Sequence, residues 1–190
     1  MKITPELASV HAYLCADGYV VKNPSQQKHK YYRVGLRNTN MNLLKDFQLK
    51  FAKVFDIKPT ITKEKNRCEI GSKEIFSLLV KEFGSFYFNN WELPQMPKKV
   101  LKNWLQSYFD CDVWVSAIKG KDRKIGLESI NKQGLKSIQE ALSKFKISST
   151  IKKHSNRNIW LLTICGKDDL ERFQKEIGFL HSNKRKKLQE

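Results

Sequence analysis

Hydrophobic and polar positions along the chain follow two alternating periods, and the whole cycle runs twice. Apolar residues spaced three and four apart predict helices over about residues 5–16, 42–55 and 73–83, and again over 98–111, 133–145 and 168–177. Between them, alternating stretches predict strands over 18–22, 31–37, 60–63 and 67–70, then over 114–118, 124–129, 150–153 and 159–164. Turn-forming residues fall where those strands must reverse: Asn23-Pro24, Lys65-Asn66, Lys119-Gly120-Lys121 and Ser155-Asn156. The repeat is also visible residue by residue. Pairing Gly35 with Gly126 brings Leu44 onto Leu135, Phe47 onto Ile138 and Phe51 onto Leu142, the apolar stripe of one helix. The register then slips by one, so that Ile61 meets Ile151. The expected fold class is therefore α+β, a pseudo-two-fold tandem repeat of α-β-β-α-β-β-α units. Its expected divisions are residues 1–90, a connection over 91–97 holding Pro94 and Pro97, and residues 98–190.

Charge narrows the partners. Thirty-six Lys and Arg face 19 Asp and Glu, a formal net charge of +17, and such a chain repels itself unless a polyanion neutralises it. No apolar run reaches the length of a membrane span, and no secretory leader is recognisable, so no membrane partner is expected. Cys15, Cys68, Cys111 and Cys165 lack zinc-type spacing and read as reduced thiols of an intracellular protein.

The first helix of each half carries the candidate chemistry. Ala8, Ala12 and Ala16 recur every four residues in one, and Asn103, Ser107 and Cys111 in the other. Small residues at that spacing let two helix backbones approach closely. Each row ends in an aspartate, Asp17 or Asp112. A carboxylate at a helix C-terminus opposes the helix dipole, and two of them side by side also repel. Divalent cations between them would remove both penalties; Mg²⁺ takes carboxylate oxygens and completes its shell with water and substrate phosphates. Asp17 taken alone reads first as an ordinary Asp-Gly helix stop, but Asp112, followed by Val113, does not, and the two acids recur at matching positions of the repeat.

The segments VHAYLCADG (residues 10–18) and LQSYFDCDV (residues 105–113) resemble the two motifs of the LAGLIDADG homing endonucleases, and the repeated unit resembles that family's over nearly the whole chain. The matching letters are Leu14, Ala16, Asp17 and Gly18 in the first copy and Leu105, Asp110 and Asp112 in the second. Val113 departs from the usual glycine, and His11, Cys15 and Gln106 are not consensus choices. The closing FQKEIGFLHSNKRKKLQE (residues 173–190) is also similar to the end of the family's domains. The resemblance implies two curved antiparallel sheets forming a DNA-binding saddle. It implies that Asp17 and Asp112 hold Mg²⁺ or Mn²⁺ and that each strand of a double-stranded target is cut, leaving 3′ overhangs. A polar residue after the second strand of each half would hold the attacking water. Asn38 and Asn131 occupy that region, with Lys132 (or Lys119) as a cation near the scissile phosphate.

Alternation along the strand Tyr32–Arg37 sends Val34 and Leu36 one way and Arg33, Gly35 and Arg37 the other. With Lys22, Lys28 and Lys30, these arginines are candidate DNA contacts. Further groups are Lys63, Lys65 and Arg67; Lys119, Lys121, Arg123 and Lys124; and Lys152, Lys153 and Arg157. His11 is expected to be a packing or surface residue, and the aromatic run over 83–91 to be core. Met1 and the closing Gln189-Glu190 supply no splicing nucleophile or terminal His-Asn, so an intron-encoded or freestanding monomer is expected over an intein. The alternative is a non-cutting protein of the same fold, an RNA-splicing maturase bound to intron RNA or a DNA-binding regulator.

Overall fold

Helix α1 (Pro5–Ala16) starts where the Thr4 side chain accepts the N–H of Leu7 and Pro5 occupies the first turn, which lacks an internal partner for its N–H groups. Asn40 and Ser72 do the same for α2 (Met41–Phe55) and α3 (Lys73–Phe83). The second half repeats the order with α4 (Lys98–Asp112), α5 (Lys132–Ser143) and α6 (Lys167–Glu176). The structure is a computed structural model describing residues 1–24, 26–28, 31–117 and 123–189. Ile118, the predicted end of a strand, and the turn Lys119-Gly120-Lys121 lie outside the described residues, as does Lys30.

Each half contributes one antiparallel four-stranded sheet. The first is ordered β1-β2-β4-β3, from Gly18–Lys22, Tyr32–Arg37, Arg67–Gly71 and Thr60–Ile61. The second is ordered β5-β6-β8-β7, from Val113–Ser116, Lys124–Ser129, Trp160–Cys165 and Thr150–Lys153. Register assigns the faces. Val34 sits opposite Val20 and Ile70, and Leu36 opposite Cys68; these face the helices. Arg33, Gly35 and Arg37 face outward, as alternation predicts. In the second sheet Ile125, Leu127, Leu162 and Ile164 are fully buried on the helix side.

Helices α1 and α4 pack side by side at the centre. Ala8, Ala12 and Ser107 are almost wholly buried there, and the Ser9 hydroxyl donates to the Asn103 carbonyl. Every residue from Leu7 to Cys15 is buried. The structure adds α7 (Ser182–Gln189), which the sequence pattern does not reveal because Leu188 is its one buried residue. Trp91, placed at the start of the connection by the sequence, is a core residue packed at a tilt against Trp104 and Tyr108.

Candidate metal and nucleic-acid site

The packed helices deliver Asp17 and Asp112 to one place by different exits. Asp17 caps α1, and Gly18 follows because a Cβ there would collide with the main chain of Leu14 and Tyr13. Helix α4 runs one residue longer, through Asp112, and leaves directly into extended backbone at Val113 (φ −97, ψ 152). There a valine fits, buried opposite Leu127, so the missing glycine of the second motif has a geometric reason.

Each carboxylate has its own support. Asn38, just past β2, donates through Nδ2 to Asp17 Oδ2 at 2.7 Å while its Oδ1 accepts the N–H of Asn40. Tyr108 hydrogen-bonds Asp112 instead. Tyr13, the matching tyrosine of α1, turns away to Asp46 at 2.8 Å. Burial pushes the Asp112 carboxyl up to about 6, and the nearby Asp17 charge adds to that, against the Tyr108 hydrogen bond and the Lys184 ammonium. The Cys111 thiol is held well above its usual range by burial first and then by the Asp17 charge.

Lys184 of α7 is a site residue that sequence reasoning missed. Its Nζ donates to the carbonyls of Phe109 (3.1 Å), Asp110 (2.7 Å) and Cys111 (3.2 Å), the unsatisfied end of α4. Burial draws its pKa down, opposed by the negative groups around it, Asp110, Asp17 and Asp112 among them. Asp110 in turn accepts the N–H groups of Leu180 (3.1 Å) and His181 (2.9 Å), which locks the C-terminal segment against the second motif. Asp110 is itself raised to about 6, by its burial. In the sequence Lys184 is one member of a basic run, and nothing local separates it from its solvated neighbours. Lys184→Met is expected to lower stability by about 2–3 kcal/mol, through uncapped carbonyls and an unneutralised acidic cluster. Thermal melting checks it, and an unchanged midpoint would remove Lys184 from this role.

The donor set fits a hard divalent cation. Among the described residues no group of three His, Cys, Asp or Glu is placed to hold an ion. The protein thus offers two mutually repelling carboxylates, and water and substrate phosphates would complete the shell.

Other sequence-predicted residues fall in different places. Asn131 does not reach the aspartates. It is buried, with Oδ1 capping α5 at Gly134 and Nδ2 donating to the Trp91 carbonyl, because the chain enters a helix there. Lys132 is exposed, its Nζ 3.9 Å from the centroid of the Trp160 ring. Arg123 is partly engaged, donating to the Leu188 carbonyl at 2.7 Å and fastening α7. Lys22, Lys28, Arg33, Arg37, Lys63, Lys65, Lys124, Lys152, Lys153 and Arg157 are exposed and Arg67 half-buried. Lys119 and Lys121 lie outside the described residues. Arg37 and Arg67 are direct cross-strand partners, an arrangement of like charges that disfavours the free sheet.

His11 is a packing residue. Its Nδ1 accepts the Trp104 indole N–H at 2.9 Å, so the ring is neutral, and burial pushes its pKa down to about 3. The aromatic run divides: Phe86 and Trp91 are core, whereas Tyr87 and Phe88 are exposed, Phe88 bordering a cleft of roughly 370 Å³ that Asp112 and Tyr108 also line.

Comparison with known proteins agrees with this fold. The sequence model of the LAGLIDADG-like domain matches residues 4–82 and 99–178, one match to each half. The chain belongs to the LAGLIDADG family. Among solved structures it is similar to variants of the homing endonuclease I-DmoI, with TM-score 0.67, 15% identity, and 96% of this chain and 97% of that one covered. It is also similar to the homing endonuclease I-WcaI bound to its DNA recognition sequence, with TM-score 0.61, 16% identity, and 99% and 88% covered. The N-terminal LAGLIDADG domain of WhiA aligns at TM-score 0.56 and 13% identity, over 93% and 83% of the two chains. Among curated proteins, a replication factor C small subunit of Thermococcus kodakarensis is 32% identical over 94 residues, 48% of this chain and 10% of that protein. A glutamine–fructose-6-phosphate aminotransferase of Methanocaldococcus jannaschii is 25% identical over 201 residues, 98% of this chain and 17% of that protein. The chain thus spans a small fraction of the curated relatives it matches. No helix among the described residues is long and apolar enough to cross a membrane.

Proposed function

We propose that this chain is a site-specific DNA endonuclease that cuts both strands of a long duplex, with Asp17 and Asp112 holding Mg²⁺ or Mn²⁺ between them. The observation that carries the reading is the position of the paired carboxylates, at the end of the central helix pair, where each leads into the first strand of a sheet and the first sheet turns Arg33, Arg37 and Arg67 outward. Acids amid so much positive charge have no structural task that Asn would not perform, and Asp112 is held against burial and against a like charge. I-DmoI has been crystallised with DNA and Mn, which supports the choice of partner and ion.

The bound cation would supply a polarised water and neutralise charge building on the phosphodiester. The chain's own residues orient and balance. Asn38 holds the Asp17 carboxylate through one oxygen and leaves the other for a ligand. Tyr108 fixes the Asp112 carboxylate from the core side. Lys184 places a positive charge behind both acids and, by capping α4, keeps its dipole from adding to their repulsion. Arg33, Arg37 and Arg67 would meet phosphates and hold the duplex in register, with Lys63, Lys65, Lys124, Lys152, Lys153 and Arg157 around them.

The test is incubation of the protein with a randomised duplex library, with and without Mg²⁺. Site-specific cutting that depends on the metal is the expected result. Tight selection of one duplex or of a structured RNA, with no cutting, would instead identify a non-cutting member of the fold.

A further inference from the structure

Two rows of side chains on the outer sheet faces match in register but differ in chemistry. Tyr19 stands two positions after Asp17 and Trp114 two after Asp112. On β1, Tyr19 pairs with Gly35 of β2, which pairs with Glu69 of β4, which pairs with Thr60 of β3. On β5, Trp114 pairs with Gly126 of β6, then Thr163 of β8, then Thr150 of β7. The glycines are required by close approach: a Cβ at Gly35 would lie 2.7 Å from the Tyr19 hydroxyl, and one at Gly126 would run into the Trp114 indole. Each half thus lays an aromatic ring across the middle of its sheet, on the face away from the helices.

The rows then diverge. In the first, the Tyr19 hydroxyl donates to the Glu69 carboxylate, with Arg33 and Arg67 close enough to act on the same hydroxyl. In the second, the place of Glu69 is taken by Thr163, and Trp114 is 40% exposed. Tyr19 fills one acceptor site of the Glu69 carboxylate, and the sites left over, on a face that meets a polyanion, weaken binding unless they find a further donor. In the major groove the donors are the amino groups of cytosine and adenine, and Glu pairs with cytosine N4. The second row offers an indole, two threonine methyls and two hydroxyls, with no charge. That combination suits the C5-methyl of thymine.

We infer that these rows are non-equivalent base-reading positions, Tyr19–Glu69 selecting a cytosine on one side of the cut and Trp114–Thr163–Thr150 selecting a thymine on the other. The inference rests on the DNA reading above.

The experiment is a binding selection from randomised duplexes in Ca²⁺, read as a base-preference profile, for wild type, Glu69→Gln and Thr163→Ser. Glu69→Gln keeps an acceptor for Tyr19 and is expected to lower the preference for cytosine at one position by about tenfold, leaving other positions unchanged. For the second row the selected duplex is remade with uracil in place of thymine at the matching position. Wild type is expected to bind the uracil duplex several-fold more weakly, and Thr163→Ser, which lacks only the methyl, to lose most of that difference. A selected duplex whose profile is unchanged in Glu69→Gln, or that shows no thymine-to-uracil effect, overturns the inference while the endonuclease reading stands. No enrichment of any duplex overturns both.

Discussion

Asp17→Asn and Asp112→Asn are each expected to reduce double-strand cleavage by on the order of a thousandfold or more while leaving duplex binding intact or tighter. The asparagine keeps the shape and one acceptor but removes the charge that holds the cation, and a negative charge near phosphates opposes binding in any case. A second readout separates charge from packing. The folded Asp112 carboxyl lies at about 6 against an ordinary 3.8, so the folded state holds its proton more tightly than the unfolded state. Stability attached to this group is therefore present below pH about 4 and lost as the pH rises through about 6. The loss is on the order of 2–3 kcal/mol. Without metal, Asp112→Asn should melt above wild type at pH 8 and level with it at pH 4. Mg²⁺ should raise the wild-type midpoint at pH 8 far more than that of the variant. Equal melting of the two proteins across the pH range would mean that the Asp112 carboxyl is held against neither burial nor the Asp17 charge. Cleavage surviving in both variants would end the two-aspartate mechanism.

Trp104→Ala should be the most damaging core substitution, costing about 3–5 kcal/mol. Trp104 is fully buried on α4 and stacks within 9° of parallel on Tyr108, with ring centroids 4.9 Å apart. It also packs near Trp91, and its N–H meets His11 across the seam between halves. Truncation opens a cavity at the junction and takes from the buried His11 Nδ1 its indole donor, leaving only the weak Cys15 thiol beside it. A domain of this size is stable by roughly 5–15 kcal/mol, so the loss removes from about a fifth to all of its stability. Trp104→Phe isolates the hydrogen bond and should lose about 1–2 kcal/mol more than its volume change explains. Urea midpoints decide it: a Trp104→Ala loss under about 1 kcal/mol would show a seam that packs without this residue.

Much of the architecture was legible because it repeats. The Gly35–Gly126 pairing aligned two helices and two sheets at once, and the observed registers place both glycines at the same point of their sheets. Helix α1 was harder to read than α2. It is buried from Leu7 to Cys15 and so shows no polar face, and its capping residues and alanine row are the clearer marks. The aspartates were legible as a pair, and Asn38 as a neighbour of one of them. Asn131 looked equivalent to Asn38, but at the offset of 91 it matches Asn40, and both cap a helix; Ser129 stands in the place of Asn38, and Tyr108 supports the second acid from within its own helix. Lys184 and the rings of Tyr19 and Trp114 laid over Gly35 and Gly126 depend on register and long-range burial, which spacing along the chain does not encode.

The stretch between the halves has a bearing on assembly. Trp91 fills the seam beside Trp104, its carbonyl accepts from Asn131, and prolines follow at 94 and 97. It is a tether that is also part of what it ties. A flexible tether confers only an effective concentration, commonly in the millimolar range, and docking then follows mass action. Here one half already carries a piece of the other's packing, so severing the chain at the prolines leaves that piece attached and the two fragments complementary. Their reunion would vary with dilution, and the intact chain is freed from that dependence.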